Sequence, residues 1–119
     1  MIDTFAQYAV AVESVARYPD SGTGSLTALL YCTLGMNGEA GEFAEKVKKL
    51  MRDDGVTDVA HLTFDQHKAL LKELGDVLWY VTRTAAELGV PLSLVADDNI
   101  TKLLDRRERG VLGGSGDNR

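Results

Sequence analysis

Four carboxylates, arranged in two pairs with the same spacing, are the side chains of this sequence that are best placed to do chemistry. The first pair is Glu39 and Glu42, and the second pair is Glu73 and Asp76. On a helix, residues three positions apart lie on one face about one turn apart, so each pair can share a single cation. Carboxylate oxygens suit Mg²⁺ or Mn²⁺ rather than zinc. If the helices that carry them pack side by side, the two pairs predict a site for a hard divalent cation.

The residues around the two pairs repeat as well. Both stretches read Glu-x-Gly-acid and continue, after four residues, with a valine, Val47 in the first copy and Val81 in the second. A glycine inside a helix costs roughly 1 kcal/mol, so Gly41 and Gly75 suggest that another backbone approaches closely. A single acidic pair at this spacing more often belongs to a solvated helix face. The repetition favours one shared metal site over two unrelated surface pairs.

Small residues form a ridge on the same predicted helix as the first acidic pair. The ridge consists of Gly35, Gly38, Gly41 and Ala44, each three residues after the one before. Such a ridge would admit a closely packed second helix, for example from another subunit, or it would mark a kink. The sequence leaves both interpretations open.

The composition is that of an ordinary globular domain. The chain has 119 residues, of which 45% are hydrophobic and 26% are charged, and this length favours a single domain. The net charge of -5 argues against a nucleic acid as partner, because such binding requires Lys and Arg at the phosphates. The sequence shows neither a secretory signal nor an apolar run of membrane-spanning length, so we expect a cytoplasmic protein with no membrane partner. The single cysteine, Cys32, lies in an apolar run and is expected to pack in the core.

Helical periodicity and capping signals predict an all-α, bundle-like domain of four helices, in which the two acid-bearing helices are antiparallel neighbours. The predicted helices run from Asp3 to Arg17 with Asp3 as N-cap, from Leu26 to Met51 with Ser25 as N-cap, from a Thr63/Gln66 capping box to about Leu88, and from about Leu92 to Arg109. Residues 53–62 are expected to connect two helices without regular structure. We predict a domain over residues 1–109 and a flexible, glycine-rich tail over residues 110–119.

Two further features each have two interpretations. Tyr80 falls on the same helix face as the second acidic pair, where it would either line a pocket or pack between helices. The predicted fourth helix carries a polar row of Asn99, Lys102 and Arg106. Such a row can bind phosphate oxygens, although a solvated face is its more common role.

Three motifs of this sequence resemble those of the all-α nucleoside triphosphate pyrophosphatases, specifically the MazG-like group. The resemblance includes their order and their occurrence in an all-helical chain of this size. The motifs are Glu39-x-x-Glu42, Glu73-x-x-Asp76 and Asn99-x-x-Lys102. The most specific part of the resemblance is GEAGEFAE at residues 38–45 together with ELGDVLWY at residues 73–80. The family pattern often has a further glutamate where this chain has Gly38, which points to a simpler metal set or a different choice of substrate. The connector between the two acidic motifs is also long for MazG.

The resemblance implies hydrolysis of a nucleoside triphosphate, with a deoxynucleotide expected, to the monophosphate and pyrophosphate with Mg²⁺ or Mn²⁺. The four acids would be the metal ligands and catalytic residues, and the substrate-binding residues would be Asn99, Lys102, Arg106 and Tyr80. The resemblance also implies a homodimer or homotetramer. Two alternatives stay open, a phosphoribosyl-ATP pyrophosphatase-like activity and a non-catalytic helical interaction module.

Overall fold

The structure is a computed structural model that describes residues 1–118 of the chain. Its four α-helices are α1 (Phe5–Val15), α2 (Leu26–Arg52), α3 (Phe64–Glu87) and α4 (Leu92–Glu108). The described residues contain no strand, which confirms the predicted all-α class with four helices. Ser25 caps α2, and Thr63 with Gln66 forms the capping box of α3, as predicted. Within residues 1–118, no helix combines the length and the apolar character needed to cross a membrane.

The predicted bounds of the first helix were wrong at both ends. Thr4, and not Asp3, is the N-cap of α1, because its hydroxyl accepts a hydrogen bond from the backbone N–H of Gln7. The Gln7 side chain accepts in return from the backbone N–H groups of Thr4 and Asp3. This reciprocal capping box satisfies more of the free donors at the helix start than Asp3 could alone. The helix ends at Val15, because Ala16 is extended with a ψ of 121°.

The connector between α2 and α3 also differs from the prediction, because it contains a short 3₁₀ helix, Val59–His61. Asp58 caps this helix by accepting a hydrogen bond from the backbone N–H of Ala60 at 2.8 Å. The cap was not recognised from the sequence, because a single turn has too few residues to show periodicity.

Helices α2 and α3 form an antiparallel hairpin at the centre of the fold, and this confirms their predicted pairing. The register of the hairpin places Gly35 beside Tyr80 near one end and Lys46 beside Glu73 further along. Helix α1 packs against α3 and α4, and α4 also contacts α3. The hairpin therefore brings the two acidic stretches together, while α1 and α4 flank α3.

The buried core lies where the hairpin meets the segment that follows α1. Its buried members are Ala16, Tyr18, Ala28 and Cys32, and the rings of Trp79 and Tyr80 pack against them. Cys32 is completely buried, which confirms its predicted role in the core.

Glu87 ties the loop between α1 and α2 to the end of α3. Its carboxylate accepts hydrogen bonds from the hydroxyl of Tyr18 and from the backbone N–H groups of Gly22 and Gly24, at 2.5, 2.6 and 2.9 Å. Arg83, one turn earlier, donates its Nε to Tyr18 and lies 3.4 Å from Glu87. Burial alone would raise the pKa of Glu87, but the hydrogen bonds and the arginine outweigh it and lower that pKa. Burial and the bond to Glu87 raise the pKa of Tyr18 to about 12, so this hydroxyl stays a donor.

The glycines of the two acidic stretches do not have the close neighbours that the sequence suggested. A Cβ atom added at Gly41 or at Gly75 would meet no other atom of the described chain within 4 Å. Close approach occurs instead at Gly35, where an added Cβ would overlap the ring of Tyr80. The contact is with a side chain and not a backbone, so the predicted reason for Gly41 and Gly75 was wrong within this chain.

Replacing Gly35 by alanine should destabilise the hairpin, because the new methyl group would displace the ring of Tyr80. Overpacking of this kind costs about 1–3 kcal/mol, so the melting temperature should fall by several degrees. Gly38→Ala is the matched control, because its added Cβ meets nothing within 4 Å and alanine favours a helix by about 1 kcal/mol. Thermal unfolding of both variants at one protein concentration measures the difference. Equal shifts in the two variants would contradict the packing of Tyr80 on Gly35.

Candidate metal centre

Three glutamates from the hairpin converge at one position, and we call them the acid cluster. One carboxylate oxygen from each of Glu39, Glu42 and Glu73 lies within 4.8 Å of the other two. Helix α2 supplies Glu39 and Glu42, and α3 supplies Glu73 across the antiparallel seam. Glu42 is exposed, Glu39 is half-buried and Glu73 is only 6% exposed.

The carboxylates around Glu39 destabilise its negative charge. Burial raises the pKa of Glu39, and the negative charges of Glu42, Asp76 and Glu73 raise it further. The positive charge of Lys72 opposes this effect. A divalent cation would relieve the repulsion, and three oxygen donors are the ligand type that Mg²⁺ and Mn²⁺ prefer. The acid cluster therefore fits a hard cation in both chemistry and charge.

Asp76, the fourth predicted ligand, lies beside the acid cluster and not among its three converging oxygens. Its charge raises the pKa of Glu39 and, after burial, that of Tyr8 on α1. Asp76 is half-buried. Asp76 therefore lies close enough to Glu39 and to Tyr8 for its charge to act on both.

Lys46 lies beside the acid cluster, and the sequence reasoning gave it no role in the predicted metal site. Its Nζ lies 3.4 Å from an oxygen of the buried Glu73. The lysine follows Glu42 by four residues, so the two side chains share a helix face. That spacing was the available signal, but the pairing with Glu73 depends on the hairpin register. Lys46 gives the buried carboxylate a positive partner at the position where a cation would bind.

Tyr80 connects the acid cluster to neighbouring aromatic rings. Its ring centroid lies 4.9 Å from that of Trp79 and 6.5 Å from that of Tyr31. Burial raises the pKa of Tyr80, and the charges of Tyr31 and Glu39 add to the rise. Tyr80 therefore packs between the helices, which was one of the two roles predicted for it. It also lies near Glu39 of the acid cluster.

The polar row of α4 faces the C-terminal tail. Lys102 Nζ and Arg106 lie 3.3 and 3.2 Å from the same oxygen of Asp117. Arg106 also donates to the carbonyl oxygens of Gly116 and Asp117 and is only 4% exposed. Hydrogen bonds from Arg106 and Lys102 lower the pKa of Asp117. Asn99 is exposed. The role of this row as a phosphate contact, and the flexibility of the tail in solution, stay predictions.

The chain is similar to known proteins over most of its length. Residues 28–111 match the family model of the MazG nucleotide pyrophosphohydrolase domain. The chain is 48% identical over 114 residues to the Gene 37 protein of Mycobacterium phage L5, and the match covers 94% of this chain and 96% of that protein. No solved structure matches the chain. The matched residues 28–111 contain the acid cluster, Asp76, Lys46 and the polar row of α4.

Proposed function

Because the chain belongs to the MazG nucleotide pyrophosphohydrolase family, we propose that it hydrolyses a nucleoside triphosphate to the monophosphate and pyrophosphate. A deoxynucleotide is the expected substrate. The observation that carries the proposal is the acid cluster, in which three carboxylate oxygens from two helices lie within 4.8 Å of one another. Mg²⁺, with Mn²⁺ as an alternative, binds such carboxylates together with the phosphates of a substrate.

In the proposed mechanism Glu39, Glu42 and Glu73 would hold the cation, with Asp76 as a further ligand. A bound Mg²⁺ would neutralise the charge on the phosphate oxygens and lower the pKa of an attacking water. One of these carboxylates would take the proton of that water. Attack at the α-phosphorus then gives the monophosphate, with pyrophosphate as the leaving group.

Positive and polar side chains would hold the phosphates. Lys46 already lies at the acid cluster through its ion pair with Glu73, so it can contact a phosphate oxygen there. The contacts proposed from α4 are Asn99, Lys102 and Arg106. Lys102 would exchange the carboxylate of Asp117, 3.3 Å away, for a phosphate of higher charge. The high negative charge of a triphosphate favours that exchange.

The test is to identify the products. The chain is incubated with each common deoxynucleoside and ribonucleoside triphosphate and with phosphoribosyl-ATP, with Mg²⁺ or with EDTA, and the nucleotides are separated by ion exchange. We expect monophosphate and pyrophosphate, in the presence of the metal only. Diphosphate as the main product would contradict attack at the α-phosphorus. Turnover of phosphoribosyl-ATP alone would favour that alternative, and no turnover of any substrate would favour the interaction module.

We also propose that the protein assembles as a homodimer or homotetramer. The single chain exposes 8391 Å², whereas a compact monomer of this mass exposes roughly 6,300 Å². Its radius of gyration is 17.2 Å, compared with about 13.5 Å for a compact domain of this length. Part of the excess is apolar, because Leu26, Leu30 and Leu34 on one side of α2 are 82, 58 and 63% exposed. A monomer in sedimentation velocity at micromolar concentration would contradict this proposal.

A further inference from the structure

Four aromatic rings form a continuous group at one end of the hairpin, and we call Tyr18, Tyr31, Trp79 and Tyr80 the aromatic cluster. The rings of Tyr18 and Tyr31 are stacked, with centroids 5.2 Å apart and planes 11° apart. Trp79 meets Tyr18 and Tyr80 edge to face, at 6.2 and 4.9 Å. Tyr31 is 6.5 Å from Tyr80. The rings are therefore fixed by one another and by the core beneath them.

The aromatic cluster adjoins the acid cluster along α2. Tyr31 precedes Glu39 by eight residues, which is about 12 Å along the helix axis and about 2.2 turns, so the two side chains lie about 80° apart around α2. Gly35 lies midway, and the absence of a side chain there allows the ring of Tyr80 to lie against α2 between them. A nucleoside triphosphate with an extended phosphate chain spans this distance.

Tyr31 differs from the other members of the aromatic cluster in its exposure. Tyr31 is 42% exposed, whereas Tyr18 is only 8% exposed. Trp79 and Tyr80 are half-buried. An exposed tyrosine on a helix is not unusual in itself. This ring, however, is held in one orientation by stacking on Tyr18 and lies within a nucleotide's length of the acid cluster.

We propose that Tyr31 stacks against the nucleobase of the substrate while the phosphates reach the acid cluster. The inference rests on the proposed function and adds the position of the base to it. Every nucleobase has a flat π-face, so stacking on a fixed ring selects for a nucleobase over a bare polyphosphate, whatever the base. Tyr80, between Tyr31 and Glu39, then lies beside the sugar and the first phosphate.

The experiment compares a ligand that has a base with one that has none. Binding of α,β-methylene deoxynucleoside triphosphates, which resist hydrolysis at the α-phosphorus, and of inorganic tripolyphosphate is measured with Mg²⁺ by titration calorimetry. The fluorescence of Trp79, the single tryptophan of the chain, gives a second readout from within the aromatic cluster. Tyr31→Ala removes the ring, Tyr31→Leu keeps apolar bulk without an aromatic face, and Tyr31→Phe keeps the ring.

We expect Tyr31→Ala and Tyr31→Leu to weaken binding of the nucleotide analogue by about tenfold or more. Both should bind tripolyphosphate within about twofold of the parent, and Tyr31→Phe should resemble the parent with both ligands. Equal losses for the two ligands, or no loss for the nucleotide, would overturn the inference. A change in sedimentation of Tyr31→Leu would also overturn it, since Tyr31 would then belong to a contact between copies.

The result also separates this inference from the proposed activity. If the parent binds the analogue through Tyr31 but releases no pyrophosphate from any triphosphate, the base position stands and the activity fails. If the parent hydrolyses triphosphates and the Tyr31 variants match it, only the base position fails. A parent that binds no nucleotide overturns both.

Discussion

Glu39→Gln is expected to lower kcat/KM for the triphosphate by roughly 10²–10³-fold and, in the absence of metal, to raise the melting temperature. The loss of activity follows because a metal ligand and a negative charge are removed from the acid cluster. Charge stabilisation by a metal is worth several kcal/mol, and each 1.36 kcal/mol is a factor of ten in rate. Steady-state kinetics with Mg²⁺ and thermal unfolding with EDTA measure the two effects.

The gain in stability without metal follows from the direction of the pKa shift of Glu39. Burial and the neighbouring carboxylates raise this pKa above its usual value of 4.5, so the folded protein disfavours the charged form. The stability contributed by Glu39 is therefore complete below its usual pKa and is lost as the pH rises through the raised pKa. At neutral pH the neutral glutamine avoids that loss. Added Mg²⁺ should then stabilise Glu39→Gln less than the parent.

Glu45→Gln is the matched control for this prediction. Glu45 lies on the same helix, is exposed, and pairs with Lys48 and Lys49 at 3.6 and 3.1 Å on the surface. Exposed ion pairs contribute little, so kcat/KM and the response to Mg²⁺ should stay within about twofold of the parent. Similar activity losses in Glu39→Gln and Glu45→Gln would contradict a special role for the acid cluster.

Glu87→Gln is expected to reduce the free energy of unfolding by about 3–5 kcal/mol, a large part of the 5–15 kcal/mol typical of a domain. The substitution leaves the buried guanidinium of Arg83 without its charged partner. It also replaces a carboxylate that accepts from Tyr18, Gly22 and Gly24 by an amide with only one accepting oxygen. Urea unfolding at neutral pH measures the change.

The same carboxylate should make stability depend on pH in the opposite sense to Glu39. The folded-state pKa of Glu87 is lowered, so its contribution is present above the usual value of 4.5 and is lost as the pH falls through the lowered pKa. Glu87→Gln should lack this acid-dependent loss. Glu13→Gln, at an exposed glutamate of α1, is the control and should unfold like the parent. A destabilisation below about 1 kcal/mol in Glu87→Gln would show that the network contributes little.

The parts of the fold that were predicted correctly depend on signals within a few residues. Ser25 and the Thr63/Gln66 pair gave the starts of α2 and α3, because capping is decided within one turn. The convergence of Glu39 with Glu73 was predicted because the repetition of the two stretches favoured one shared site. At the first helix two residues compete for the cap, and Thr4 is the N-cap because its hydroxyl accepts from the backbone N–H of Gln7.

The parts that were missed depend on contacts between distant residues. Glu87 binds the backbone of Gly22, 65 residues earlier, and neither residue has a periodic pattern that indicates the other. Lys46 meets Glu73 only because of the hairpin register. Likewise, the burial of Arg106 follows from its hydrogen bonds to the carbonyls of Gly116 and Asp117, 10 and 11 residues later. Spacing indicated which side chains share a face, but not what covers that face.

An approximate local two-fold axis relates the two acidic stretches, because α2 and α3 are antiparallel and carry the same motif. Under this relation, which shifts the numbering by 34 residues, Glu39 corresponds to Glu73, and Tyr80 corresponds to Lys46. The axis thus relates the two ends of the site on the hairpin. The chemistry of these ends differs, because one has the aromatic ring of Tyr80 and the other has the ammonium group of Lys46. A ligand with a flat apolar end and an anionic end matches both ends in one orientation only. The two arms of the hairpin therefore share the spacing of their acids, whereas Tyr80 and Lys46 give the two ends different chemistry.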